Sequence, residues 1–209
     1  MVAVQETMAR FSPLDGSLVA AVTITPASKI PEVVARSRQA FTGWSQTTIE
    51  FRGRILRKAA QLIEARSDEL AEVVRRETGK PLSASLGEIG GAVEMGYLVA
   101  SHGRHEIGTL LPSAVAGKHV RVQRIPRGVA ALIVTYNAPF PNYAWKCFPA
   151  LMAGNVAILK PSLATPHSAE LFVSILHEAG VPQDALQLVH GDGETGGALI
   201  DAGVELVSF

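Results

Sequence analysis

The stretch from Gly128 to Lys160, GVAALIVTYNAPFPNYAWKCFPALMAGNVAILK, leaves the chain few folds to choose from. Its first apolar run, 129–134, has strand length and is too short for a free-standing helix. Pro139 and Pro141, two apart, cannot continue a strand, so the chain turns at Tyr136-Asn137-Ala138-Pro139-Phe140-Pro141. A helical spacing follows, with Tyr143, Phe148, Leu151 and Met152 on one face and a stop at Gly154-Asn155. A second apolar run, 156–159, ends in Lys160-Pro161. Strand, crossover helix and strand is the unit that builds parallel sheets. Because both strands are apolar on both faces, helices must cover the sheet on either side.

Asn137 and Lys160 each sit just past the C-terminal end of a strand, the edge of an open parallel sheet where ligands bind. An amide donor and a cation at neighbouring strand ends could converge on one small molecule. Spacing alone also fits a plainer pair, a turn-capping Asn and a solvated Lys.

The flanking segments extend this scheme. Phe11-Ser12-Pro13-Leu14-Asp15-Gly16 is a turn signal before an alternating strand over 18–24. Ser28 caps a helix from Ile30 with Pro31 in its first turn, facing inward through Val33, Val34, Ser37, Ala40 and Phe41 and ending at Gly43-Trp44. Helical spacing covers 48–78, restarted by Ser67 as an N-cap, with Ile55, Leu56, Ala59, Leu62, Ile63, Leu70, Val73 and Val74 inward. Arg52, Arg54, Arg57 and Lys58 interleave with acidic residues and read as a solvated face. A third helical stretch, 82–107, carries Gly87, Gly90, Gly91 and Gly96. Each interior Gly costs about 1 kcal/mol against Ala, which predicts close packing on that face. Val120-Arg121-Val122-Gln123 alternates as a half-exposed strand in need of a partner edge. Thr165-Pro166 starts a helix with Leu171, Phe172, Ile175 and Leu176 inward, stopped at Gly180. A short strand over 186–189 then leads into Gly191-Asp192-Gly193-Glu194-Thr195-Gly196, which has dinucleotide-fingerprint spacing in a strand-to-helix context.

With 47% hydrophobic residues and 19 basic against 19 acidic side chains, the 209 residues suit a soluble globular protein of one large domain or slightly more. Neutral charge argues for neither nucleic acid nor an anionic membrane as partner. No apolar run approaches the roughly 20 residues needed to span a bilayer. The start, MVAVQETMARFSP, has no secretory pattern. One cysteine excludes an internal disulfide framework and points to a reducing, cytoplasmic setting.

Pro126-Arg127-Gly128-Val129, Tyr136-Asn137-Ala138-Pro139, Lys146, Pro149-Ala150-Leu151, Ala153-Gly154-Asn155 and Lys160-Pro161-Ser162 together resemble the aldehyde dehydrogenase superfamily. The likeness continues through Glu178-Ala179-Gly180-Val181-Pro182 and Gly191-Asp192-Gly193 and covers nearly the whole chain. Ser12-Pro13 stands where the family opens with Asn-Pro, and Glu77-Thr78-Gly79-Lys80-Pro81 looks like a structural loop of the family. The resemblance implies an α/β fold: an incomplete Rossmann-like open parallel sheet with helices on both faces. An N-terminal helical segment precedes it. Residues 1–107 and 126–209 would belong to the NAD(P)-binding domain, and 108–125 to a protruding hairpin arm that crosses to another subunit of a homo-oligomer.

The implied reaction oxidises a small aldehyde to an acid. A cysteine thiolate attacks the carbonyl, NAD or NADP takes the hydride, and a glutamate activates water. The resemblance places that cysteine and glutamate, and the turn that meets the pyrophosphate, past Phe209. The chain itself would supply Asn137 as oxyanion donor and Lys146, near the general base, as an aid to proton movement. Val134, Thr135, Tyr136, Asn137, Lys160, Ser162, Leu163, Gly191, Gly193 and Gly197 would line the cofactor, with Lys160 on the adenosine ribose and the glycine turn on the adenine side. Cys147, in the crossover helix, reads as a small buried hydrophobe and not as the nucleophile. Leu163 stands where many NAD-preferring members carry a ribose-gripping glutamate, and it lacks the charge that would repel a 2′-phosphate. The expectation is tolerance of or preference for NADP. The 209 residues alone are expected to be inactive, and a silent nucleotide-binding or scaffolding fragment is the alternative. An unfinished sheet would expose apolar surface at its last strand, 204–209.

Overall fold

The computed structural model describes residues 6–102 and 108–209. Strands β5 (Val129–Ile133), β6 (Val156–Lys160), β7 (Leu186–Leu188) and β8 (Leu206–Ser208) form one parallel sheet in the order β7-β6-β5-β8. Register pairs Val129 with Val156 and Ile133 with Lys160, so both strands end at the same level. Helix α5 (Pro139–Met152) connects β5 to β6, and α6 (Pro166–Ala179) connects β6 to β7. Helix α7 (Gly193–Asp201) returns across the sheet to β8. Right-handed crossovers put α5 and α6 on one face and α7 on the other, where it meets α1 (Ile30–Ser45). This is the incomplete Rossmann-like sheet that the sequence implies. As expected, Leu206, Val207 and Phe209 lie exposed along β8. Among the described residues, no helix is long and apolar enough to cross a membrane.

Helices α2 (Ile49–Ala65), α3 (Ser67–Thr78) and α4 (Leu82–Ser101) pack over α5 and α6. The expected extension of α4 to Ile107 falls partly outside the described residues. Two antiparallel hairpins stand apart from the main sheet: β1 (Thr7–Phe11) with β2 (Leu18–Thr23), and β3 (Gly108–Leu111) with β4 (Val120–Gln123). Among the described residues neither face of the second hairpin is covered, and Leu110 (77% exposed) and Val122 (50%) open to solvent.

Several local expectations are corrected. Ser28 lies in a 3-10 turn and caps nothing, and α1 runs one residue past Gly43-Trp44 to Ser45. Ser67 is the first residue of α3, its hydroxyl donating back to Glu64 O at 2.7 Å, while Thr48 is the true cap of α2 through Phe51 N. Val73 is only half-buried, and Ala71 takes the inward place. Of the glycines in α4 only Gly96 packs closely. A Cβ there would lie 2.8 Å from Ala60 Cβ and 3.1 Å from Phe148, whereas Gly87, Gly90 and Gly91 face outward.

Arg52 does not lie on the solvated face. It is buried, donating from Nε to Met152 O (2.9 Å) and from Nη1 to Thr47 Oγ1 (3.2 Å), and burial lowers its pKa. Trp44 Nε1 donates to Leu151 O at 3.1 Å. The last carbonyls of a buried helix need partners, and these two side chains supply them for α5. Glu77, fully buried, does the converse at α6: it accepts His167 N (2.7 Å) and Ser168 N (3.2 Å), capping a helix whose own N-cap residue, Thr165, makes no such bond. Burial raises the Glu77 pKa, and these bonds at a helix N-terminus oppose the rise.

Candidate functional site

The C-terminal ends of β5, β6 and β7 open onto a hollow of about 560 Å³. From β5 and the segment after it come Val134, Thr135 and Tyr136; from β6 and its turn, Lys160, Ser162 and Leu163; from the turn after β7 and the helix α7 that it opens, Gly191, Gly193 and Gly197. Ile133, Asp192, Gly196, Ile200 and Phe209 complete the lining. Of these, Asp192 was legible as the polar member of the glycine turn. Ile200 and Phe209 carry no local signal, because they reach the hollow only through the return crossover.

The glycine turn has a steric cause. A Cβ on Gly191 would lie 1.9 Å from Thr195 Oγ1, whose hydroxyl donates to Thr25 O at 3.2 Å. Asp192 caps α7 by accepting Glu194 N at 2.9 Å. Beyond this knot the space around Gly193 and Gly197 is open: apart from the local backbone, no atom of the described residues lies within 4 Å of an added Cβ at either.

Lys160 is the charged group of the hollow. The residue is 7% exposed and its aliphatic stem runs beside Gly196. Among the described residues its ammonium has only Pro161 O, at 3.4 Å, and no carboxylate within ion-pair distance. Burial lowers its pKa, and the field of Asp192 opposes that. A buried cation with donors left over, facing exposed glycine backbone, fits a polyhydroxyl such as a ribose.

Asn137 and Lys146 stand outside this lining. Asn137 is exposed in the turn before α5, its Oδ1 accepting Thr135 Oγ1 at 2.6 Å. That bond uses the amide carbonyl and leaves the NH2 as donor. Lys146, half-buried on α5, donates to Ser208 Oγ on β8 at 2.8 Å, and burial lowers its pKa. Cys147 is fully buried, and burial raises its thiol pKa far above the reactive range. The unpaired, inward cysteine therefore has the structural place expected of it.

Beside the glycine turn, Glu170 lies between His167 Nδ1 (3.4 Å) and His190 Nε2 (3.5 Å). The His167 bond, then that of His190, pulls Glu170 down to about 2, and Glu170 raises the His167 pKa. The stabilisation from the paired carboxylate is present above its ordinary 4.5 and fades as pH falls toward 2. That from the imidazolium is full below the ordinary 6.5 and is lost as pH rises through the raised value. Thermal melts of wild type and Glu170→Gln should therefore differ most between these two ordinary values. The expected difference is within about 1 kcal/mol, since the pair is partly exposed. A difference that grows on the alkaline side would contradict the pairing.

A family model described as the aldehyde dehydrogenase family matches residues 2–209. Among solved structures the chain is similar to aldehyde dehydrogenase from Brucella melitensis biovar abortus 2308, 33% identical, covering 92% of this chain and 40% of that one, TM-score 0.90. It is also similar to PnpE in complex with nicotinamide adenine dinucleotide, 36% identical, covering 93% and 40%, TM-score 0.88. A third is a point mutant of betaine aldehyde dehydrogenase from Staphylococcus aureus in complex with NAD+, 27% identical, covering 98% and 42%, TM-score 0.93. The chain thus spans about two fifths of the length of these relatives.

Proposed function

The chain belongs to the aldehyde dehydrogenase family, and from that premise we propose that it supplies the cofactor-binding and oxyanion-stabilising part of an NAD(P)-dependent oxidation of a small aldehyde to a carboxylic acid. The observation that carries this reading is the buried Lys160 ammonium, left among the described residues with one weak carbonyl partner and facing a glycine-lined hollow at a parallel-sheet edge. Lys160 donates to the hydroxyls of the adenosine ribose, and Gly193 and Gly197 give the adenine side room. Val134, Thr135 and Tyr136 lead from there toward the nicotinamide side. Asn137 presents its NH2 to the oxyanion that develops on the aldehyde oxygen. Lys146 assists proton movement near the general base. When bound, the dinucleotide supplies the acceptor for the aldehyde's hydride. The exposed hairpin β3–β4, with Ile125 (75% exposed) beyond it, docks on a second copy of the chain in a cytoplasmic homo-oligomer.

Leu163 sets the cofactor preference. It lines the hollow and offers neither an acceptor for a ribose hydroxyl nor a charge to repel a 2′-phosphate. Equilibrium titrations should show NADP binding at least as tightly as NAD. Leu163→Glu should shift the ratio toward NAD by about 10- to 100-fold, the worth of a charged hydrogen bond. A strong NAD preference in the wild type would sink the role of Leu163, and no binding of either would sink the cofactor reading.

The single cysteine is buried with a raised pKa, so the 209-residue chain alone holds no accessible thiolate. It should bind dinucleotide without oxidising propanal, and measurable turnover would refute this.

A further inference from the structure

We infer that Lys80, held by Glu88, is a positioning residue that fixes the Asn137 peptide and thereby aims its side-chain amide; this rests on the reading of Asn137 as the oxyanion donor. Asn137 lies in an exposed turn between β5 and α5, outside helix and sheet hydrogen bonding. Such a segment is drawn from the low-stability end of a fold unless something ties it down. The tie comes from a distant loop. Lys80 follows Gly79, the left-handed cap of α3, and its ammonium donates both to Glu88 Oε1 on α4 and to the carbonyl oxygen of Asn137.

The pair is sheltered: the Lys80 side chain is 26% exposed and that of Glu88 16%. Among the described residues the other, buried Glu88 oxygen has no hydrogen-bond partner, and Lys80 is the group that compensates this carboxylate. A charge-assisted bond from an already ordered ammonium holds a carbonyl more firmly than a neutral one would. The amide itself is oriented from the other side, where Thr135 Oγ1 donates to Asn137 Oδ1 at 2.6 Å and receives Asn142 Nδ2 at 3.4 Å. Main chain and side chain of Asn137 are thus fixed independently, and the NH2 is the group left to point outward. Donors act on a developing oxyanion only if they are in place beforehand.

The test needs neither cofactor nor turnover, so its failure is separate from failure of the aldehyde reading. The chain has three asparagines, Asn137, Asn142 and Asn155, so selective 15N-asparagine labelling reports on few sites. Asn155 is the internal control: its Oδ1 accepts Arg127 N (2.6 Å) and Gly128 N (3.1 Å), away from Lys80. In the wild-type chain the Asn137 backbone order parameter should be near the rigid value of about 0.85. In Lys80→Met it should fall below about 0.6 while Asn155 stays rigid, and Lys80→Arg should restore it. The double variant Lys80→Met/Glu88→Gln removes the uncompensated carboxylate, so it should fold and still show a mobile Asn137. An unchanged Asn137 in either Met variant overturns the inference. So does a parallel loss at Asn155 in the double variant, which would make Lys80 a stabiliser of the fold at large.

Discussion

Phe172→Ala should lower the stability of the chain by about 3–5 kcal/mol, the range for emptying a buried phenylalanine site. Phe172 is fully buried on α6, and its ring meets three aromatic rings of α5. These are Phe140 and Phe148, edge-on at 5.8 and 5.9 Å, and Tyr143, tilted at 5.6 Å. The loss therefore combines transfer, cavity and aromatic-pair contributions at the joint between the two crossover helices. A domain of this kind is stable by only about 5–15 kcal/mol, so the change takes a large share of the total. Denaturant unfolding should show a lower midpoint with an unchanged slope, and Phe172→Leu should lose much less. A loss below about 1 kcal/mol for the alanine would mean that α5 and α6 do not meet through this cluster.

Asn137→Ala should lower kcat by about 100- to 1000-fold, the usual result of deleting one oxyanion donor. The measurement belongs in a polypeptide that joins these residues to the cysteine and glutamate that the proposed reaction requires. Cofactor affinity should hardly change, because Asn137 stands outside the lining of the hollow while Lys160 is within it. Equal losses in kcat and kcat/KM, with an unchanged dinucleotide Kd, mark an interaction made only in the transition state. An intact kcat would remove Asn137 from the chemistry.

The centre of the fold could be read from one stretch because its signals agree. Apolar runs of strand length, a proline-bound turn and a helical spacing all demand β5-α5-β6, and nothing in the rest of the chain opposes them. Reading failed where a residue's role is set from far away. Arg52 looks like one more cation on a helix surface until the Met152 carbonyl at the end of α5 arrives to accept its Nε–H and bury it. Glu77 seems only to end α3, yet it caps α6 ninety residues later. Gly87, Gly90 and Gly91 carry the same signal as Gly96, and only the approach of Ala60 and Phe148 separates them. Strand β1 was missed because TMARF has no clean alternation, and its pairing with β2 comes from the turn between them. At the site, residue types located the strand ends, whereas Lys80 and Glu88 were invisible because the contact that gives them a role joins the loop after α3, helix α4 and the turn before α5.

A crystal structure of this chain grown with NAD or NADP tests the central claim most directly. The account predicts the adenosine ribose within hydrogen-bond distance of Lys160 Nζ, with the adenine over the open faces of Gly193 and Gly197. Ordered cofactor elsewhere would contradict it, for instance in the cleft of about 620 Å³ beside Gly53, Arg54 and Arg57, with Lys160 left untouched.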